Sequence, residues 1–156
     1  MKRNRVLVAL FALVVACNSP VGLPLGVFGI LQTGDAEDLV ATNVDNPDFT
    51  VLDVRTDEEY RAGHLDRAVC IDFLAEDFED RISELPRDRL YLVYCGSGMR
   101  SAEACEWMRR LGFSRLYDLD GGFGAWDAAG CDWVCEHDGE GSGDRVRDRV
   151  REHDRE

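Results

Sequence analysis

The feature that most constrains the fold is a regular alternation of short apolar runs and amphipathic segments across residues 28–130. The apolar runs are as long as β-strands, and those at 49–54 and 90–94 are rich in Val, Leu, Phe and Tyr. The strongest helix is predicted over residues 100–111, where Gly112 ends it. Strands and helices alternating at this spacing favour an α/β domain with a mostly parallel sheet of five strands and helices on both faces. Further strands are predicted at 27–31, 68–71 and 116–119, and further helices at 35–43, 57–62, 75–84 and 123–129.

The first seventeen residues have the pattern of an export signal. Three basic residues within positions 1–5 precede an apolar run at 6–16, which is too short for a comfortable transmembrane helix. The run ends in Val-Val-Ala-Cys17, which resembles the lipobox of prokaryotic lipoproteins and implies cleavage before Cys17 and acylation of its thiol. We therefore expect a signal peptide at 1–16, a lipidated Cys17 and a linker at 18–27. The signal peptide and the lipid on Cys17 would anchor the protein to the membrane outside the cytoplasm.

An uncleaved N-terminal anchor is the alternative, because residues 20–31 are again apolar. Pro20 and Pro24 disfavour a continuous helix there. The net charge of −13 repels nucleic acid and anionic lipid, so neither is expected to be a natural partner. Residues 138–156 are almost devoid of apolar side chains and are predicted to be a charged, disordered tail.

The predicted chemistry centres on Cys95, which directly follows the strongest predicted strand. The residues that lead from it into the next helix are Gly96, Ser97, Gly98, Met99 and Arg100. Glycines let successive backbone N–H groups turn toward one point and form an anion-binding nest. The helix dipole and Arg100 add positive charge. A thiol in this setting is expected to have its pKa lowered from ~8.5 to between ~3.5 and ~7.5, which makes Cys95 a thiolate nucleophile.

Four motifs in this order and spacing resemble a single-domain rhodanese. They are Asp53-Val54-Arg55, the stretch from Glu59 to Leu65, the loop from Cys95 to Ser101, and Gly121-Gly122 with Trp126 and Gly130. The likeness covers about residues 28–130 and implies that family's five-stranded parallel sheet. The family usually has Gly-His-Ile-Pro-Gly-Ala where this chain has Gly-His-Leu-Asp-Arg-Ala at 63–68, which puts the geometry of that turn in doubt.

The resemblance implies a sulfurtransferase that needs no cofactor and no metal. Cys95 would take the outer sulfur of thiosulfate or a similar small anion, release sulfite and carry a persulfide. It would then pass the sulfur to a thiol, cyanide or a protein cysteine. The loop residues 96–100 would bind the donor anion. Arg55 is interpreted first as the partner of an acidic neighbour and second as a further donor-binding residue, and His64 as a residue that pins a turn.

Two other classes of function stay open. One is a non-catalytic rhodanese-like module that binds a partner or relays sulfur. The other is a phosphatase or arsenate reductase of the same fold, a class that uses Cys-x5-Arg. Here four residues separate Cys95 from Arg100, and the shorter loop suits one sulfur atom better than phosphate.

Cys131 and Cys135 follow the predicted domain, in a separate segment at 131–137. A local disulfide between them is expected outside the cytoplasm. The alternatives are a metal half-site with His137, which would supply only three ligands, and a resolving pair for Cys95.

Overall fold

The computed structural model describes residues 26–135 as a five-stranded parallel sheet with helices on both faces. The strands are β1 (Val27–Leu31), β2 (Phe49–Asp53), β3 (Val69–Cys70), β4 (Leu90–Tyr94) and β5 (Arg115–Leu119), in the spatial order β1-β5-β4-β2-β3. The helices are α1 (Thr33–Thr42), α2 (Asp57–Ala62), α3 (Phe78–Ser83), α4 (Met99–Arg110) and α5 (Gly122–Ala128). The predicted fold class is therefore confirmed. Among the described residues, no helix is long and apolar enough to cross a membrane.

β4 lies at the centre of the sheet, between β5 and β2. All five of its residues are buried, which explains why its sequence is continuously apolar instead of alternating. Leu92 and Tyr94 pack toward α1 and α5, in a core that includes Ala36 and Trp126. The opposite core is formed against α3 and α4, and its largest fully buried side chains are Tyr91, Phe113, Leu52, Ile82, Met108 and Leu116. Both faces of the central strand thus hold Cys95 in a fixed place at its carboxyl end.

The helix predicted at 75–84 is shorter in the structure, where α3 begins at Phe78. The preceding residues form turns instead, because the side chain of Asp72 accepts a hydrogen bond from the backbone N–H of Leu74 at 2.8 Å. This local bond offers the backbone an alternative to the first helical turn. The structure otherwise follows the predicted elements to within two residues at each end.

The segment after Gly130 packs onto the domain instead of leaving it. Val134 and His64 form an antiparallel bridge, with both N–H···O distances 2.8 Å. The indole N–H of Trp126 donates to the carbonyl of Asp132 at 2.9 Å. The folded part therefore reaches at least residue 135, beyond the predicted boundary at 130. At the other end, Val27 is the first residue of β1, although the predicted linker included it. The predicted signal peptide, Cys17 and the tail at 138–156 lie outside the described residues.

Candidate active site

Cys95 lies at the floor of the loop that joins β4 to α4, with only 1% of the residue exposed. Gly98 makes the turn into α4 with a φ of 93°, in the left-handed region that favours glycine. The loop therefore curls back over the thiol. The backbone N–H of Gly98 donates to Cys95 Sγ at 3.1 Å. The hydroxyl of Ser101, in the first turn of α4, lies 3.6 Å from the same sulfur.

These donors decide the charge of the thiol. Burial alone raises the pKa of Cys95, but the backbone N–H groups of Ser101, Ser97 and Gly98 and the Ser101 hydroxyl outweigh it, so the pKa is lowered. Hydrogen bonds to the charged form favour that form. The predicted thiolate is thus supported by geometry. The loop N–H groups, with the start of α4, are the anion-stabilising element that the glycines indicated.

Arg100 does not stand free at the end of the loop. Its Nη1 and Nη2 donate to Oε2 and Oε1 of Glu59, both at 2.8 Å. This pairing, helped by Thr56, lowers the pKa of Glu59 to about 2 although its partial burial acts the other way. Two of the five guanidinium N–H donors are used by Glu59, which leaves three for a bound anion or the thiolate. The thiolate of Cys95, like Glu59, raises the pKa of Arg100.

Glu59 is the functional residue for which sequence reasoning assigned no role. It also closes a capping box with Thr56 at the start of α2, where its backbone N–H donates to Thr56 Oγ1 at 3.2 Å. The Thr-x-x-Glu spacing is a sequence signal for that cap. Nothing in the local pattern pairs Glu59 with an arginine 41 residues away.

Arg55 lies behind the loop, not in it. The residue is 4% exposed, and its guanidinium binds Asp53, with Nη2 to Oδ2 at 2.6 Å, and the carbonyl of Gly63 at 2.5 Å. Its Cζ lies 4.2 Å from the centroid of the Phe123 ring. The interpretation of Arg55 as the partner of an acidic neighbour is therefore right. Its second predicted role, in donor binding, stays a prediction, and in the structure this cation is buried and bound to Asp53.

The turn after β5 supports the loop from behind. The backbone N–H of Phe123 donates to the Cys95 carbonyl at 2.7 Å, and that of Gly124 donates to the Gly96 carbonyl at 3.0 Å. Gly122 has a φ of 58°, and a Cβ there would lie 2.2 Å from the Cys95 carbonyl oxygen. This close approach requires glycine at the second position of the Gly121-Gly122 motif.

The other predicted residues fall into three groups. Ser97 and Met99 are exposed at the mouth of the loop, where Met99 is 75% accessible. His64 stacks on Tyr60 with ring centroids 3.7 Å apart, and its Nδ1 is 2.9 Å from the Tyr60 carbonyl, as expected of a residue that pins a turn. Cys131 and Cys135 are both buried in the segment that follows Gly130, and their disulfide stays a prediction.

The fold and the loop together define a class: a parallel α/β protein that presents a cysteine thiolate in an anion-binding turn before a helix. Comparison with known proteins makes this class specific. The sequence profile of the rhodanese-like domain matches residues 36–129, and the chain belongs to the rhodanese-like family.

Individual relatives agree with this assignment. The chain is 35% identical over 92 residues to a sulfurtransferase from Allochromatium vinosum, covering 59% of this chain and 84% of that protein. It is 32% identical over 85 residues to a tRNA uridine(34) hydroxylase from Erwinia tasmaniensis, covering 51% of this chain but 24% of that protein. The crystal structure of a rhodanese-related protein from Thermoplasma volcanium matches with a TM-score of 0.57 and 30% identity, over 68% of this chain and 97% of that one. The family match and the sulfurtransferase from Allochromatium vinosum support sulfurtransferase activity in general.

Proposed function

We propose that the protein is a thiosulfate-type sulfurtransferase that carries sulfur as a persulfide on Cys95. The observation that carries the proposal is the thiol itself, which is buried under convergent N–H and O–H donors and has a lowered pKa. A thiolate at this place is both the required nucleophile and the neighbour of an anion site.

The proposed reaction has two steps. The Cys95 thiolate attacks the outer sulfur of thiosulfate, a new S–S bond forms, and sulfite leaves with the electron pair of the broken S–S bond. The persulfide anion is then stabilised by the loop N–H groups and by the free N–H donors of Arg100. An acceptor nucleophile, either cyanide or a thiolate, attacks the outer persulfide sulfur and releases the Cys95 thiolate unchanged.

Phosphatase activity is the less favoured function for the same loop. The tight curl of the backbone brings the N–H of Gly98 to 3.1 Å from Sγ, which suits a single sulfur atom. Glu59 also takes two of the five N–H donors of Arg100, so fewer are left to surround a tetrahedral oxyanion.

The decisive experiment is intact-mass measurement of the full chain after incubation with thiosulfate. The parent is expected to gain one sulfur atom, and Cys95→Ser to gain none. Cys105→Ser, which removes a partly buried thiol of α4, is the matched control and is expected to behave like the parent. A folded parent that gains no sulfur contradicts the proposal. Persulfide formation without release to cyanide or a thiol supports the sulfur-relay module instead.

We further propose that the protein is a lipoprotein anchored outside the cytoplasm through Cys17. The support is the sequence of the first seventeen residues, with its basic start, apolar run and terminal cysteine. Radiolabelled palmitate is expected to enter the full-length chain in a bacterial host and not its Cys17→Ala variant. Equal incorporation into both would show that the lipid is not attached at this residue.

A further inference from the structure

A bidentate ion pair lies at the mouth of the active-site loop, and the proposed reaction uses only one of its members. Glu59 of α2 accepts hydrogen bonds from Nη1 and Nη2 of Arg100, both at 2.8 Å. Both charged groups lie against Gly96, the residue after the nucleophile. A Cβ built on Gly96 would lie 3.4 Å from Arg100 Nη2 and 3.5 Å from Glu59 Oε1. The Glu59 carboxylate is therefore part of the wall of the site.

The ion pair is open to the solvent from which a sulfur donor arrives. The side chains of Arg100 and Glu59 are 25% and 39% exposed. A charge in such a position acts on an approaching ion at short range, although water and salt weaken its effect. Because Glu59 cancels the charge of Arg100, the mouth offers hydrogen-bond donors without a net positive charge.

The charged residues around the ion pair do not restore a positive charge. Arg55, the other arginine of the sequence motifs, is 4% exposed and already paired with a carboxylate. Asp57 and Glu58 are exposed in the first turn of α2, and Asp120 is exposed directly after β5. A donor with two negative charges is therefore disfavoured at this mouth, whereas the N–H groups of the loop still suit a single anionic sulfur.

The loop also presents an apolar side chain to the solvent. Met99 precedes Arg100 in the chain and is 75% exposed. A methionine side chain adapts to the shape of carbon groups and gives a sulfonate oxygen no hydrogen-bond donor. A donor with a carbon substituent in place of one charged oxygen therefore suits the mouth better than thiosulfate does.

We propose that Glu59 is a specificity-determining residue: by neutralising Arg100, it selects sulfur donors with one negative charge, such as an alkyl thiosulfonate or an organic persulfide, over the thiosulfate dianion. Thiosulfate is disfavoured by this arrangement without being excluded, because the loop N–H groups serve both kinds of donor. The inference rests on the proposed function and deepens it by naming the class of donor.

Transfer from such donors follows the same first step as transfer from thiosulfate. With an alkyl thiosulfonate, the Cys95 thiolate attacks the terminal sulfur, a new S–S bond forms, and the alkyl sulfinate leaves with the electron pair of the broken S–S bond. With an organic persulfide, a thiolate leaves with that pair. Neither reaction needs an oxidant or a reductant.

The test compares how reagents of different charge react with Cys95 in the full chain. Persulfide formation from thiosulfate and from methanethiosulfonate is timed by intact mass, and alkylation by iodoacetate and iodoacetamide by the mass of the Cys95 peptide. The variant is Glu59→Gln, which keeps the size and an acceptor oxygen. Glu58→Gln removes an equal charge from the same turn of α2. Thr56→Ala removes the hydroxyl that caps α2 at 3.2 Å from the Glu59 nitrogen but keeps the charge of Glu59.

We expect Glu59→Gln to raise the rate by about fivefold for each negative charge on the reagent. The gain is then about 25-fold for thiosulfate, about fivefold for methanethiosulfonate and iodoacetate, and small for neutral iodoacetamide. At about 1 M salt, where the Debye length is about 3 Å, most of this gain should disappear. Glu58→Gln and Thr56→Ala are expected to keep the rate ratios of the parent.

Three results would overturn the proposal. An equal gain for all reagents would show that Glu59→Gln changes only the reactivity of Cys95. A slower reaction with thiosulfate would mean that Glu59 holds Arg100 in place for the dianion. The same charge-dependent gain in Glu58→Gln would assign the effect to the helix surface as a whole. If neither donor forms a persulfide, the proposed function fails, and the ratio of iodoacetate to iodoacetamide still decides whether Glu59 selects by charge.

Discussion

Replacing Gly122 by alanine should displace Cys95 while leaving its side chain chemically unchanged. Gly122 starts α5 with a φ of 58°, and the added Cβ would meet the Cys95 carbonyl oxygen at 2.2 Å and the carbonyl carbons of Cys95 and Gly96 at 3.0 Å. These atoms belong to the backbone and cannot swing aside as a flexible side chain does. The distance between the added Cβ and the Cys95 carbonyl oxygen must increase by roughly 1 Å to reach a normal contact, so either the loop or the start of α5 has to move.

The cost has two separable parts. A left-handed backbone costs alanine about 1–2 kcal/mol relative to glycine. Overpacking against a fixed neighbour adds about 1–3 kcal/mol, and the shift weakens the hydrogen bond from Phe123 to the Cys95 carbonyl, now 2.7 Å long. We expect Gly122→Ala to lower the free energy of unfolding by about 2–5 kcal/mol. A 1 Å displacement of Cys95 should slow sulfur transfer by about 100-fold.

Gly130→Ala is the matched control. Gly130 also has a positive φ, 79°, but a Cβ there meets nothing within 4 Å. Gly130→Ala should therefore lower the free energy of unfolding only by the cost of the left-handed backbone, about 1–2 kcal/mol, and leave activity unchanged. Urea unfolding followed by circular dichroism gives the two free energies, and alkylation of Cys95 reports the loop directly. Equal destabilisation of the two variants, or unaltered Cys95 reactivity in Gly122→Ala, would refute the reasoning.

Three further predictions follow from the charges of the site. Glu59→Gln should cost at most about 1 kcal/mol at pH 7, because the pair is partly exposed. A lowered folded-state pKa adds stability above the unfolded value, so in pH-dependent unfolding this difference should fade as the pH drops from 4.5 toward about 2. Arg55→Ala should destabilise by about 3–5 kcal/mol in urea, since it leaves the Asp53 carboxylate buried without its cation; a folded variant with only a raised KM for thiosulfate would support the donor-binding role instead. Iodoacetamide at pH 7 should label Cys95 before Cys70, whose pKa burial and nearby carboxylates raise to about 12, and peptide masses would show the reverse order if the thiolate is not formed.

The sequence predicts those parts of the fold whose cause is local. β4 is continuously apolar because both of its faces are buried, and that pattern places Cys95 at a strand end. The bounds of α2 follow from Thr56 at its N-cap and Gly63 after its last residue. The glycines of the loop predict the turn of converging backbone N–H groups that the structure contains. For these elements, cause and effect lie within a few residues of each other.

The parts that the sequence did not predict depend on contacts between distant elements. Glu59 meets Arg100 only because α2 and α4 both start at the carboxyl edge of the sheet. The sequence shows where such charged residues lie along the chain, whereas the packing of the elements determines which of them become partners.

The pairing of both arginines changes the account of how the site attracts an anion. Arg55 is neutralised by Asp53 and Arg100 by Glu59, in a chain whose net charge is already −13. Net charge near the loop therefore contributes little, and stabilisation of the thiolate rests on oriented N–H and O–H dipoles within hydrogen-bonding distance of Sγ. Dipoles at such short range are hardly screened by salt, because the Debye length at physiological ionic strength is about 8 Å. The pKa of Cys95 should accordingly change little between low salt and about 1 M salt, whereas a site that depended on free arginines would lose much of its thiolate.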